Sequence, residues 1–270
     1  MIMLEDKVAR VSSAELSSYA TKENGIWRIN AEHMHYTELN RVLRAINQHD
    51  EEKVEIHNVY GQRYIGTHLE RNMHIEIFGT PGNDLAAFMD GQNLTVHGNA
   101  QDCTGNTMND GLVVVHGHAG DITGYASRGG KIFIRDDVGY RTGIHMKEFL
   151  RKKPYLVVGG AAQDFLGEYM AGGVLLVLGL KLKPGDYLDS RFVGTGMHGG
   201  VIYLRGKLPE GNLGKEVKMV DVNKSDLSVI QDLVKEFCGY FDESFEDVMK
   251  GAFSKVVPFS HRPYGRIYAY

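Results

Sequence analysis

Short apolar runs recur along the middle of the chain and close in the same way. Leu94-Thr95-Val96-His97-Gly98, Val113-Val114-Val115-His116-Gly117, Ile132-Phe133-Ile134-Arg135-Asp136, Leu175-Leu176-Val177-Leu178-Gly179 and Ile202-Tyr203-Leu204-Arg205-Gly206 are the clearest copies. Weaker copies are Val54–Asn58, Ile75–Gly79 and Tyr155–Gly159. The closing positions 79, 98, 117 and 136 are 19 residues apart, after which the steps are 23, 20 and 27. Gly105, Gly124 and Gly143 keep the same 19-residue step. A further pattern, Gly-x-x-Met-x-x-Gly, recurs at Gly105/Met108/Gly111, Gly167/Met170/Gly173 and Gly194/Met197/Gly200, with Gly124/Ser127/Gly130 as a variant.

A fixed period of this length means that each copy stacks on the one before, pairing in parallel at ~4.8 Å per layer. Parallel crossovers within one sheet are right-handed by default. The pattern therefore predicts a single-stranded right-handed parallel β-helix in the all-β class. A β-sandwich also offers many short strands, but it does not set glycines at an invariant step, and Asn-Gly hairpin signals are absent between these strands.

Alternation within the strands assigns faces. Val54/Ile56, Ile75/Ile77, Leu94/Val96, Val113/Val115, Ile132/Ile134, Leu175/Val177 and Ile202/Leu204 read as inward. The outward middle position is polar at first, with Glu55, Glu76 and Thr95. It then becomes Val114, Phe133, Leu156, Leu176 and Tyr203, a strip that calls for a cover. Leu39, Val42, Leu43 and Ile46 form a helical stripe over Tyr36–Gln48, predicted to cap the first coil. Ser225 is the expected N-cap of a helix carrying Leu227, Ile230, Leu233, Val234 and Phe237. A shorter helix follows with Phe245, Val248 and Met249. The implied organisation is an N-terminal cap over 1–50, the β-helix over 51–206 and a helical extension with a tail over 207–270. The closing stretch Phe259–Tyr270, rich in Tyr and Arg, reads as a loose tail or a docking arm.

Composition narrows the classes. Glycine is high, 33 of 270 residues, while proline is 6, which fits frequent sharp turns rather than a disordered linker. A net charge of −4 gives no electrostatic reason to expect nucleic acid or an anionic membrane. The two cysteines, Cys103 and Cys238, build no disulfide framework and no Cys₄ metal site, and fit a cytoplasmic setting. No basic n-region followed by an apolar stretch opens the chain, so a signal peptide is not expected.

The chemical candidates all fall on the repeat. Gly194-Thr195-Gly196-Met197-His198-Gly199 matches G-x-G-x-x-G, yet a strand rather than a helix is expected after it. His97, His116 and His118 invite a metal, but Arg135 is the next rung, and a ladder of outward side chains is the better reading. Asp102, Asp121 and Asp164 stack like paired glycosidase acids, though Asp beside turn glycines commonly caps its own backbone. No catalytic, cofactor-binding or metal residues are assigned. The residues singled out are the glycine ladder (Gly79, Gly98, Gly105, Gly117, Gly124, Gly143, Gly167, Gly179, Gly194, Gly206) and the outward strip.

The repeat resembles the GXGXG domain at the C-terminal end of glutamate synthase large subunits. The resemblance is carried by Phe78-Gly79-Thr80-Pro81-Gly82, Gly98–Asp102, Gly167–Gly179 and Gly194–Gly200, and covers about residues 54–206. Asp136, Asn58 and Ala86 stand where ladder glycines would be, and Ser127 where a methionine would be. Ile29-Asn30-Ala31 and Gly61–Gly66 look like the stand-alone form found where archaeal-type glutamate synthase is split into separate polypeptides. The same module occurs in one of the subunits of formylmethanofuran dehydrogenase. The resemblance implies a non-catalytic β-helix that braces a glutamine amidotransferase component and an FMN-synthase component. FMN and the iron–sulfur cluster are then expected on those partners, and self-association is a further possibility. The alternatives are a scaffold in a formylmethanofuran dehydrogenase-type complex and an independent carbohydrate-active or carbohydrate-binding β-helix.

Overall fold

The computed structural model describes residues 13–48, 52–182, 188–206 and 208–259. Within them twelve strands join one sheet in the order β1-β2-β3-β4-β5-β6-β7-β8-β9-β10-β12-β11. The strands are Ala20–Glu23 (β1), Ile26–Asn30 (β2), Glu52–Tyr60 (β3), Met73–Thr80 (β4), Asp90–His97 (β5), Asp110–Val115 (β6), Lys131–Ile134 (β7), Tyr155–Val158 (β8), Ala171–Val177 (β9), Gly199–Arg205 (β10), Val217–Val220 (β11) and Phe253–Pro258 (β12). The helices are Ser13–Tyr19 (α1), Tyr36–Ile46 (α2), Lys224–Phe241 (α3) and Phe245–Met249 (α4). Each of β2 to β9 pairs in parallel with the next, which is the stacked ladder of a parallel β-helix.

The interior is a register-aligned row. Ile75, Leu94, Val113, Ile132, Leu156, Leu175 and Ile202 are successive cross-strand partners, all buried in one cluster. Met108, Met146, Met170 and Met197 fill the same core from the corners.

This row corrects one position of the outward strip. Leu156 pairs with Ile132 and faces inward, while Val157 pairs with Phe133 and Leu176 and takes the outward place. Alignment on a closing glycine is ambiguous here because Gly159 and Gly160 are adjacent. Val158 pairs with Ile134, so Gly160, not Gly159, corresponds to Asp136. A slip of one residue exchanges the two faces of a strand. The steps after 136 are therefore 24, 19 and 27, from positions 136, 160, 179 and 206. Asn58 is also displaced from the ladder. It sits in a bulge with φ 57°, and Val59 stands opposite Gly79.

Both ends differ from a purely helical cap. At the N-terminal end β1 and β2 form an antiparallel hairpin, and β2 starts the parallel ladder before residue 51. Its turn is Asn24-Gly25 with φ of 52° and 82°, the Asn-Gly hairpin signal, located ahead of the strands on which the repeat was read. Helix α2 follows and buries Leu39, Val42, Leu43 and Ile46. Asn47 seals it to the first coil, donating to Arg71 O and accepting from the backbone N–H groups of Glu70 and Arg71. At the far end β12 pairs antiparallel with β10, and β11 pairs with β12, so part of the extension is strand. The exposed edge thus shortens to four residues, a common way to blunt self-pairing. Residues 260–270 of the proposed tail or arm lie outside the described residues.

Candidate functional site

The corners are built from left-handed residues at alternate positions. Cys103, Gly105 and Thr107 have φ of 60°, 74° and 52°; Ile122, Gly124 and Ala126 have 59°, 75° and 51°; Arg141, Gly143 and His145 have 55°, 74° and 57°. Phe165, Gly167 and Tyr169 repeat the triplet, as do Phe192, Gly194 and Gly196. The alternation sends successive N–H groups to opposite neighbours. Cys103 donates to Asp121 O in the next coil, Gly105 to Leu85 O in the previous one, and Thr107 to Tyr125 O in the next. The corner therefore hydrogen-bonds in both directions like a strand, and leaves its buried amides paired.

Only the central residue must be glycine. A Cβ on Gly105 would lie 2.3 Å from Ile132 Cδ1, and on Gly143 2.3 Å from Leu175 Cδ1, both inside the core. The outer two positions carry exposed side chains such as Tyr169 and Phe192, each at a cost of about 1–2 kcal/mol for the left-handed backbone. Gly79, Gly98 and Gly117 close strands where coils touch: a Cβ on Gly98 would lie 2.5 Å from Gly79 O. Gly179 and Gly206 follow β9 and β10 with φ of 54° and 113°.

The acids have structural partners. Asp102 accepts from Asp121 N–H at 2.9 Å, Asp121 from Tyr140 N–H at 2.8 Å, Asp137 from Ala161 N–H at 2.8 Å and Asp164 from Arg191 N–H at 2.9 Å. Each carboxylate thus caps the coil after its own, rather than its own backbone. The G-x-G-x-x-G stretch contributes Gly194 and Gly196 to a corner and runs directly into β10, with no helix N-terminus for a phosphate.

The histidines form an outward column. His57, Phe78, His97 and His116 stack with centroid separations of 4.5, 4.6 and 5.3 Å, and the edge of Phe241 closes the column on His116. Burial, with His97 and Arg135 nearby, lowers the pKa of His116. Burial, with Asp84, Asp102 and Asp121 around it, raises the Cys103 thiol, the reverse of an activated nucleophile. Among the described residues no group of three or more His, Cys, Asp or Glu is placed to hold a metal ion, and no helix is long and apolar enough to cross a membrane.

The outward apolar strip meets α3. Val114, Phe133, Val157, Leu176 and Tyr203 share one buried cluster with Ile230, Leu233, Val234, Phe237 and Phe241. Gly159 leaves room for the Phe237 ring, since a Cβ there would lie 2.5 Å from Phe237 Cζ. The helix begins two residues earlier than Ser225 suggested. Asn223 is the N-cap, and Asn223 and Asp226 form a capping box, which leaves Ser225 Oγ donating to Asn223 Oδ1. Asp226 also accepts from the Tyr203 hydroxyl at 2.7 Å and from Lys255 Nζ at 2.8 Å. One buried carboxylate thus ties together strip, helix and β12. Beside α3 a groove of about 510 Å³ runs between Tyr155 and Tyr240, with Lys131 bound to Glu236 across it.

Stacked coils, left-handed corners and no assembled catalytic group among the described residues define a parallel β-helix protein whose distinctive parts are its corners and its covered strip. The family model described as the GXGXG motif matches residues 28–259, and the chain belongs to that family. Three left-handed positions at alternate residues are what a G-x-G-x-G spacing serves. The chain is 48% identical over 249 residues to uncharacterized protein MJ1350 of Methanocaldococcus jannaschii, an alignment covering 89% of this chain and 95% of that protein. It is 28% identical over 186 residues to ferredoxin-dependent glutamate synthase 2 of Synechocystis sp., covering 65% of this chain and 11% of that protein.

The sequence alone did not disclose the outer left-handed positions, because Cys, Ile, Arg and Phe carry no signal for that conformation. A trace existed in Thr104, Thr123 and Thr142, each preceding the central glycine. Their buried hydroxyls donate to the carbonyls of Gln101, Gly120 and Gly139.

Proposed function

We propose that this chain is a non-catalytic scaffold subunit of a glutamate synthase-like complex, which makes glutamate from glutamine and 2-oxoglutarate. In this reading it braces a glutamine amidotransferase protein against an FMN-synthase protein, so that ammonia released by one reaches 2-oxoglutarate in the other. FMN and the iron–sulfur cluster belong to the partners. The observation that carries the reading is the pair of alignments. A similar module forms about a tenth of a synthase polypeptide, while in the archaeal relative it accounts for nearly the whole protein. The local chemistry agrees with it: the candidate acids, histidines and Cys103 are engaged in backbone caps, ring stacks or a raised thiol.

Co-expression with the amidotransferase and FMN-synthase proteins, followed by light scattering on the eluted peak, tests this. A ternary species is expected. If the two catalytic proteins associate fully without the chain and leave it as a separate peak, the scaffold reading fails.

A further inference from the structure

One coil breaks the 19-residue step, and the break can be placed to the residue. Arg128 N–H donates to Met108 O, and Lys147 N–H donates to Ser127 O, so Lys147 corresponds to Arg128 one coil later. Lys131 pairs with Tyr155. From Arg128 to Lys131 is three steps, and from Lys147 to Tyr155 is eight, so this coil holds five extra residues, 149–153.

Those residues are Phe149-Leu150-Arg151-Lys152-Lys153. They form a tight turn closed by reciprocal bonds between Phe149 and Lys152, 3.1 and 3.0 Å. Lys152 is anchored to Asp90 and Asp110, and Lys153 to Glu148, so the base of the turn is fixed. At its tip Phe149 is 50% exposed and Leu150 88% exposed, and Leu150 has φ 57°. The 19-residue coils do without these residues, and neither apolar side chain is buried by folding. A glycine would serve the left-handed turn with less strain. Lys147 and Arg151 flank the apolar pair, and neither has an ion-pair partner among the described residues. This is a cationic rim on a chain whose net charge is −4.

We infer that the turn at 149–153 is a docking knuckle that inserts Phe149 and Leu150 into an apolar socket rimmed by carboxylates on the FMN-synthase protein. This rests on the scaffold reading and specifies its contact. Rigid aromatic and aliphatic anchors of this kind concentrate binding energy, because little side-chain and backbone freedom remains to be lost on docking. The two flanking cations supply charge complementarity, which sets orientation and salt dependence.

The test is titration of purified FMN-synthase protein against the full chain and against Phe149→Ser, Leu150→Gly, Arg151→Glu and, as a control on an exposed corner, Phe88→Ser. All four positions are on the surface, and unchanged melting curves or a rise for Leu150→Gly confirm folding. Loss of affinity by about thirtyfold for Phe149→Ser or Leu150→Gly, weaker salt dependence for Arg151→Glu and no change for Phe88→Ser are expected. Equal affinity for parent and turn variants overturns the knuckle while leaving the scaffold reading intact. A parent chain that does not bind the synthase protein overturns both. Turn variants that dissociate a homo-oligomer without changing synthase affinity assign the turn to self-contact and also overturn the inference.

Discussion

Backbone conformation at single residues decides much of this molecule. Gly124 has φ 75°, and a Cβ there would lie 3.0 Å from Leu156 Cδ2. Gly124→Val combines a β-branched side chain in left-handed backbone with crowding of the core, and should cost about 3 kcal/mol or more. An unchanged urea midpoint would contradict the corner geometry. Leu150 is the opposite case: exposed, left-handed and unsupported by packing. Leu150→Gly should stabilise the free chain by roughly 0.5–1 kcal/mol, the relief of strain less the entropy of a freer unfolded chain. Calorimetry on the isolated protein reads this directly, and a lower melting temperature would count against it. At this scale the sequence was half legible. Gly105, Gly124 and Gly143 announced themselves because a side chain there would enter the core. Cys103, Ile122 and Arg141 did not, because an outward residue can tolerate the same backbone without being glycine.

Among the elements, α3 carries the most testable claim. Phe237 is fully buried against the strip, so Phe237→Ala should cost on the order of 3–5 kcal/mol and raise binding of a hydrophobic dye. Truncation before α3 is a blunter tool, since β12 lies after it and covers the edge of β10. The point variant separates the two effects, and a Phe237→Ala protein as stable as its parent would mean that the strip is covered otherwise. The tie at Asp226 adds a pH signature. Burial alone would raise this carboxyl, but Lys255, the Asn223 N–H and the Tyr203 hydroxyl outweigh it and hold the pKa below the usual aspartate range. Since the folded value lies below the unfolded one, the stabilisation is complete above about pH 4 and is lost as pH falls through the folded value. The stability difference between parent and Asp226→Ala should therefore be constant near neutrality and shrink only in acid. A difference that instead grows in acid would refute the assignment. The strip was legible as a period-two pattern, and its error at Leu156 shows the limit. Two adjacent glycines leave the register open by one residue, and only the pairing of Val158 with Ile134 closes it. The N-cap was misplaced for a related reason: Asn223 and Ser225 are both good caps, and the reciprocal bond from Asp226 selects the former.

For the molecule as a whole, the 19-residue step made the β-helix readable without coordinates, because a repeat cannot bury its apolar face except on its neighbour. The end pieces were less readable, since β1, β11 and β12 are antiparallel additions outside the repeat. Function was readable only through family resemblance: the residues that looked chemical are used to hold one coil to the next. The isolated chain is accordingly expected to hydrolyse no glutamine and to show no flavin absorbance, and glutaminase activity that persists through repurification would argue against a scaffold. The central claim is that the chain couples two active sites it does not contain. The most direct measurement is the ratio of free ammonia released to glutamate formed by the amidotransferase and FMN-synthase proteins, with and without the chain. The account predicts that adding the chain lowers this ratio by suppressing ammonia escape, while each half-reaction assayed alone is unaffected. A ratio that does not change on saturation with the chain would contradict it.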